Sequence, residues 1–250
     1  MHNLFFIMLF ALNFNVYSAL NYKTDFSFRS KPQGINLVGT AQYDHLIWGE
    51  GIKENPLYGY WRAGAKIGGS PTLAGFLQVA PVAPLIFEIS KSMTKRFLNS
   101  KEFNCATYEC KKSINRLDFS TKIVFGYQNF FGMGSLNFRD IKTSSESKLM
   151  ALELEYFSVL SGITHRYFSR SLMFGQKYSN DRSFGVAYEN GQIKKINKHF
   201  ENYLGFVKFN YNDLNWIIAA SRFNTNEAGV SGNGLILGLS KTFGDSLSLF

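Results

Sequence analysis

The sequence predicts an all-β chain: a transmembrane, antiparallel, up-and-down barrel of about twelve strands, or about ten at the least. Three observations predict it. First, segments near the length of a spanning strand alternate apolar and polar side chains along most of the chain. The clearest is 117–127, where Leu117, Phe119, Ile123, Phe125 and Tyr127 share one face, broken by Thr121, and Asp118, Ser120, Lys122 and Gly126 take the other. Second, aromatic residues reach 16%, with 25 Phe and 13 Tyr, yet mean hydropathy is only −0.11. That balance suits a wall whose wet face dilutes its oily one. Third, no stretch after the N-terminus approaches the roughly 20 apolar residues a spanning helix needs.

Taken in order, residues 1–18 read as a secretory signal. The apolar core runs from Leu4 to Leu12, and Val16 and Ser18 fill the small-residue positions before a cut that leaves Ala19 first. The n-region offers only His2. The run is too short to span a bilayer, and Asn13 and Asn15 interrupt it. No linker divides 19–250, which is expected to be one barrel domain.

Strands follow at 21–30, with Phe26 and Phe28 in phase, and at 35–48, with Ile35, Leu37, Ala41, Tyr43 and Ile47 in phase. A Gly-, Asn- and Pro-bearing loop leads to 57–68, where Trp61, Ala63, Ala65 and Ile67 oppose Tyr58, Tyr60, Arg62 and Lys66. A Gly-Gly-Ser-Pro turn precedes 72–80, and Pro81 and Pro84 close that strand before 85–95, which sets Leu85, Phe87 and Ile89 against Glu88, Ser90 and Ser92. After 117–127 come 130–142, rich in Gly, then 149–160, with Glu153 and Glu155 on one face, and 163–178, with Arg166 and Arg170 sharing a face. A short strand at 183–189 is read as ending in an Asn190-Gly191 turn. The strands 203–211 and 214–222 form a hairpin around Asn212-Asp213, and 234–243, with Leu235, Leu237 and Leu239 in phase, is the last.

Cys105 and Cys110 lie in one polar loop. An exported chain is oxidised, so a disulfide between them is expected; two thiols without a nearby His make no zinc site. Net charge is +9, but the basic residues are scattered, with clusters at Lys111, Lys112 and Arg116 and at Lys194, Lys195 and Lys198. Positive loops facing anionic lipid explain that more plainly than nucleic-acid binding, which is not expected, and a solvated rim without function is plainer still.

A soluble barrel would alternate too, with its oily face inward. The lipid-facing reading rests on aromatic residues at strand ends (Tyr43, Trp48, Tyr127, Tyr156, Tyr203, Tyr211), on charges in mid-strand, and on the C-terminus. A chain ending in Phe250 resembles Gram-negative outer-membrane β-barrel proteins, whose last strand ends in an aromatic residue. Counting back from Phe250 meets Ser248, Ser246 and Gly244, whereas Phe243 leads back to Lys241, Leu239, Leu237 and Leu235. Either the strand ends at Phe243 with a short tail, or a bulge resets the phase. The resemblance implies residence in the outer membrane, with lipid, lipopolysaccharide and the barrel-assembly machinery as partners.

The side chains expected to line the lumen are Arg62, Lys66, Glu88, Lys122, Glu153, Glu155 and Lys208. They read as ion pairs filling a narrow interior, or as the selectivity lining of a pore. No catalytic residues, cofactor or metal ligands are assigned. The expected function is a small pore or a structural, surface-exposed membrane protein. The alternative is a barrel-embedded phospholipase or lipid A deacylase, which needs a nucleophile and base. The histidines after the signal are His45, His165 and His199, and His165 lacks the His-x-Ser-Asn arrangement that deacylases carry. A soluble periplasmic ligand-binding barrel is the third reading. Gly132-Met133-Gly134-Ser135 sits inside a strand and reads as a packing or bending site.

Overall fold

Two-faced strands must hide their unpaired edges as well as sort their faces, and closure into a ring does both. The computed structural model describes residues 18–30, 33–49, 58–68, 72–94, 108–109, 113–143, 150–153, 158–160, 164–179, 181–193, 197–226 and 231–243. Its strands are β1 (Ser18–Ser30), β2 (Gln33–Trp48), β3 (Gly59–Gly68), β4 (Thr72–Val82), β5 (Leu85–Thr94), β6 (Tyr108–Glu109), β7 (Ile114–Tyr127), β8 (Phe130–Thr143), β9 (Met150–Glu153), β10 (Ser158–Leu160), β11 (Thr164–Ser179), β12 (Arg182–Ile193), β13 (Lys198–Tyr211), β14 (Leu214–Thr225) and β15 (Gly232–Phe243). Twelve of them close in the order β1-β15-β14-β13-β12-β11-β8-β7-β5-β4-β3-β2, while β10, β9 and β6 form a separate three-stranded sheet. Every wall pairing is antiparallel, so the barrel is up-and-down, with β1 sealing it against β15 from Tyr22↔Phe243 to Arg29↔Ile236.

The two rims differ. At the rim where β1 begins and β15 ends (the terminal rim), most connections are short: 83–84, 128–129, 180–181 and 212–213. Asn212 and Asp213 both have positive φ (51° and 59°), the backbone of a tight turn whose twist matches the strands it joins. The opposite loop rim carries the longer connections 95–113 and 144–163, from which β6, β9 and β10 arise.

The faces sort as the alternation requires. Ile123 is 56% exposed on the outside of β7, whereas its neighbour Val124 is 8% exposed and points in. Leu20, Ile67, Leu73, Phe119, Phe125, Leu172, Val207 and Leu235 are likewise exposed outward, so the outer wall is an apolar band. The twelve wall strands are 10–16 residues long, enough to cross a hydrocarbon layer that takes about 9–11.

Two sequence expectations need correction. The alternation over 149–160 does not make a wall strand: β8 pairs directly with β11 from Thr164↔Lys142 to Gln176↔Phe130, leaving no place between them. Glu153 therefore stands in β9, outside the ring, and Glu155 and Tyr156 lie outside the described residues. Alternation reports a one-sided strand, and a small sheet has such strands too. Nor is Asn190-Gly191 a turn; both residues continue β12, paired with Arg170 and Ser169. Glycine is needed at 191 for room, since a Cβ there would lie 2.3 Å from the Tyr167 hydroxyl and 2.4 Å from the Phe200 ring. The signal residues 1–17, Cys105, Cys110 and the tail 244–250 lie outside the described residues. Lys241, Leu239, Leu237 and Leu235 share the outward register with Phe243, without a bulge in β15.

Candidate functional site

The interior is where the chemistry-bearing side chains meet. An apolar cluster lies near each rim. At the terminal rim, Leu46, Tyr58, Tyr60, Ala80, Ala83, Ile86 and Val124 form a buried cluster with Met133 against it. At the loop rim, Ile114, Ile141, Tyr167, Ile193, Phe200 and Phe223 form another. There Tyr167 stacks on Phe200 (5.7 Å between centroids) and Phe200 on Phe223 (5.9 Å).

Between these clusters the β2–β8 wall is filled by paired charges. Asp44 has no exposed surface. Both its oxygens are held by Arg62, directly opposite across the β2–β3 pairing, Nε–Oδ1 at 2.5 Å and Nη2–Oδ2 at 3.0 Å. Asn21 and Gln42 also donate to that carboxylate, at 3.2 and 3.4 Å. Arg62 lies 5.4 Å over the Tyr60 ring, whose hydroxyl accepts a 2.8 Å bond from Gln78. Lys122 reaches Glu88 at 3.1 Å. Arg139 bonds Asp118 opposite it, and its guanidinium lies over the Tyr167 ring at 5.9 Å. A neutral network continues onto β11: Ser135 and Ser171 are 2.8 Å apart, and Asn137 donates to Ser135 and Ser169 at 3.2 Å each. Buried charges persist in a low-dielectric interior only when partnered in this way.

Of the residues expected in the lumen, Arg62, Lys66, Glu88, Lys122 and Lys208 share the inward register; the first, third and fourth stand in ion pairs. Lys66 places its ammonium 4.7 Å over the Phe76 ring. Lys208 shares the inward register with Lys177 and Lys23, and Lys23 pairs with Asp25 at 2.8 Å. Asp44, Asp118, Arg139 and Lys177 share the same inward register but were not assigned to the lumen, although Asp118 is in phase with Ser120 and Lys122 and Asp44 alternates with Tyr43.

The other wall is built differently. β12 turns Ser183, Gly185 and Ala187 inward, and β15 turns Gly234, Gly238 and Ser240 inward. Bulky inward rings lie against the wall over a glycine directly opposite: Phe76 over Gly64, Phe131 over Gly175, Phe206 over Gly185 and Phe200 over Gly191. A ring laid on a glycine shields backbone and keeps its bulk off the axis.

A hydrolase site is not assembled among the described residues. His165 is fully buried and inward, near the loop rim, whereas Asp44 is near the terminal rim, committed to Arg62. His45 is outward, 5.4 Å from the Trp61 ring, and His199 opens β13 at the loop rim, its backbone N–H bonded to Asn226. No cluster of three His, Cys, Asp or Glu residues that could hold a metal occurs among the described residues.

The sequence matches no protein-family model, and no curated protein is similar to it. The fold, by contrast, has solved counterparts. The β domain of the Bordetella autotransporter BrkA superposes with a TM-score of 0.50 at 9% identity, covering 91% of this chain and 99% of that one. An outer membrane channel from Pseudomonas putida F1 gives 0.48 at 10% identity, covering 93% and 97%. A NanC porin gives 0.46 at 8%, covering 89% and 99%. The architecture is that of outer-membrane β-barrels.

Proposed function

We propose that the chain spans the outer membrane as a narrow pore that favours small anions. One observation carries this reading: the ion pairs lie on the β2–β8 wall, whereas β12 and β15 turn Ser183, Gly185, Ala187, Gly234, Gly238 and Ser240 inward, and the proposed wet path follows those small residues. More basic than acidic side chains share the inward register: Lys23, Arg29, Arg62, Lys66, Arg116, Lys122, Arg139, Lys177, Lys198 and Lys208 against Asp25, Asp44, Glu88, Asp118 and Glu189. A passage lined by an excess of one sign concentrates the opposite ion.

The apolar outer band and polar interior support a membrane setting over a soluble one, in which the faces would be exchanged. Planar-bilayer recording under a salt gradient tests the proposal. Steady conductance steps with a reversal potential on the anion side are expected. A folded, inserted barrel that passes no current returns the structural, surface-exposed role, which the ion-paired plug also fits.

A further inference from the structure

On the outside of the barrel, β11 to β15 share a hollow of about 960 Å³, at the upper end of the size range of small-molecule sites. Its floor is low because Gly205 and Ala220 face outward there; a Cβ at Gly205 would meet nothing within 4 Å. Leu172, Phe174, Tyr203 and Leu235 rise around it. Toward the loop rim the lining changes character. Arg222 faces out between its cross-strand neighbours Tyr203 and Asn233, neither of which is acidic. The nearby carboxylate of Glu201 is engaged by the hydroxyls of Tyr188 and Tyr203, at 3.3 and 3.4 Å.

An apolar trough ending in a guanidinium has the polarity profile of an amphiphile standing in a bilayer leaflet. We propose that this hollow seats an anionic, phosphate-bearing membrane lipid, an acyl chain along Gly205 and Ala220 and the phosphate on Arg222. The proposal rests on the membrane reading above. Charge chooses lipid over a second copy of the chain. A two-fold contact through the hollow would set one Arg222 against another in a low-dielectric surrounding, whereas a phosphate supplies the opposite charge and bidentate acceptors.

The test is native mass spectrometry of the full chain released from micelles. It would be incubated with phosphatidylglycerol, with diacylglycerol of the same chains, or with inorganic phosphate. Phosphatidylglycerol should be retained about tenfold over diacylglycerol, the scale of one charge-assisted contact, and excess inorganic phosphate should not displace it. Arg222→Ala should bring the two lipids level, and Gly205→Leu, filling open space, should lower retention of both. Equal retention by the native chain, an unchanged preference in Arg222→Ala, or a dimer that Gly205→Leu converts to monomer would each overturn the site. Insertion into vesicles, scored separately, tells the failures apart: a barrel that inserts without lipid preference loses only this site.

Discussion

Replacing Arg62 by Met probes the plug most sharply. At 3.0 Å, the gross attraction of a guanidinium and a carboxylate is roughly 5 kcal/mol at an effective dielectric of 20, most of it offset by the cost of taking both groups out of water. The net loss is larger when one partner is removed than when both are, because Asp44, with no exposed surface, would keep its charge in place. Breaking a buried pair costs about 3–5 kcal/mol. Asn21 and Gln42 still donate to the carboxylate, which puts Arg62→Met at about 3 kcal/mol, the low end of that range. Adding Asp44→Leu removes the stranded charge and should bring stability back to within about 1 kcal/mol of the native chain. Urea unfolding in micelles, followed by the fluorescence of Trp48, Trp61 and Trp216, measures both variants. A cost below about 0.5 kcal/mol for Arg62→Met, or a double variant no more stable than the single, would mean that the pair does not hold the interior together.

Other outcomes follow from the same geometry. Gly191→Ala should push the Tyr167 and Phe200 rings off the wall, costing about 1–3 kcal/mol and reducing single-channel conductance in planar bilayers; unchanged current would mean that the rings do not border the path. Lys208→Glu should move the reversal potential toward the cation side while leaving folding intact, as heat-modifiable migration on gels would report. Ile218→Arg, on the outward face in mid-strand, should cost about 2–4 kcal/mol when the barrel is refolded into vesicles. Cys105 and Cys110 should give no free thiol on titration of the unreduced, exported protein.

Much of this fold is legible in the sequence because a wall with an apolar outer face obeys one rule at every second residue. Strands such as 72–82 and 130–143 could be bounded to within a residue or two from alternation and turn residues alone. The rule fails where outer and inner demands coincide. Gly191 looks like a turn residue because its reason, two aromatic rings on neighbouring strands, is nowhere near it in sequence. The segment 149–160 alternates as well as any wall strand, and only the direct β8–β11 pairing excludes it. The interior was legible as a list of charged residues but not as pairs. Asp44 and Arg62, or Asp118 and Arg139, meet through strand register, which depends on the closure and stagger of the whole ring.

In the proposed membrane setting, the oily faces of these strands touch lipid while the charged faces look inward. Single cysteines at Ile123 and Ser120, three residues apart on β7 and on opposite faces, can carry a fluorophore in a background without Cys105 and Cys110. In vesicles, lipid-attached bromine should quench the label at Ile123 and leave that at Ser120 bright, with aqueous iodide giving the reverse. Quenching by iodide at Ile123 and protection at Ser120 would contradict the account.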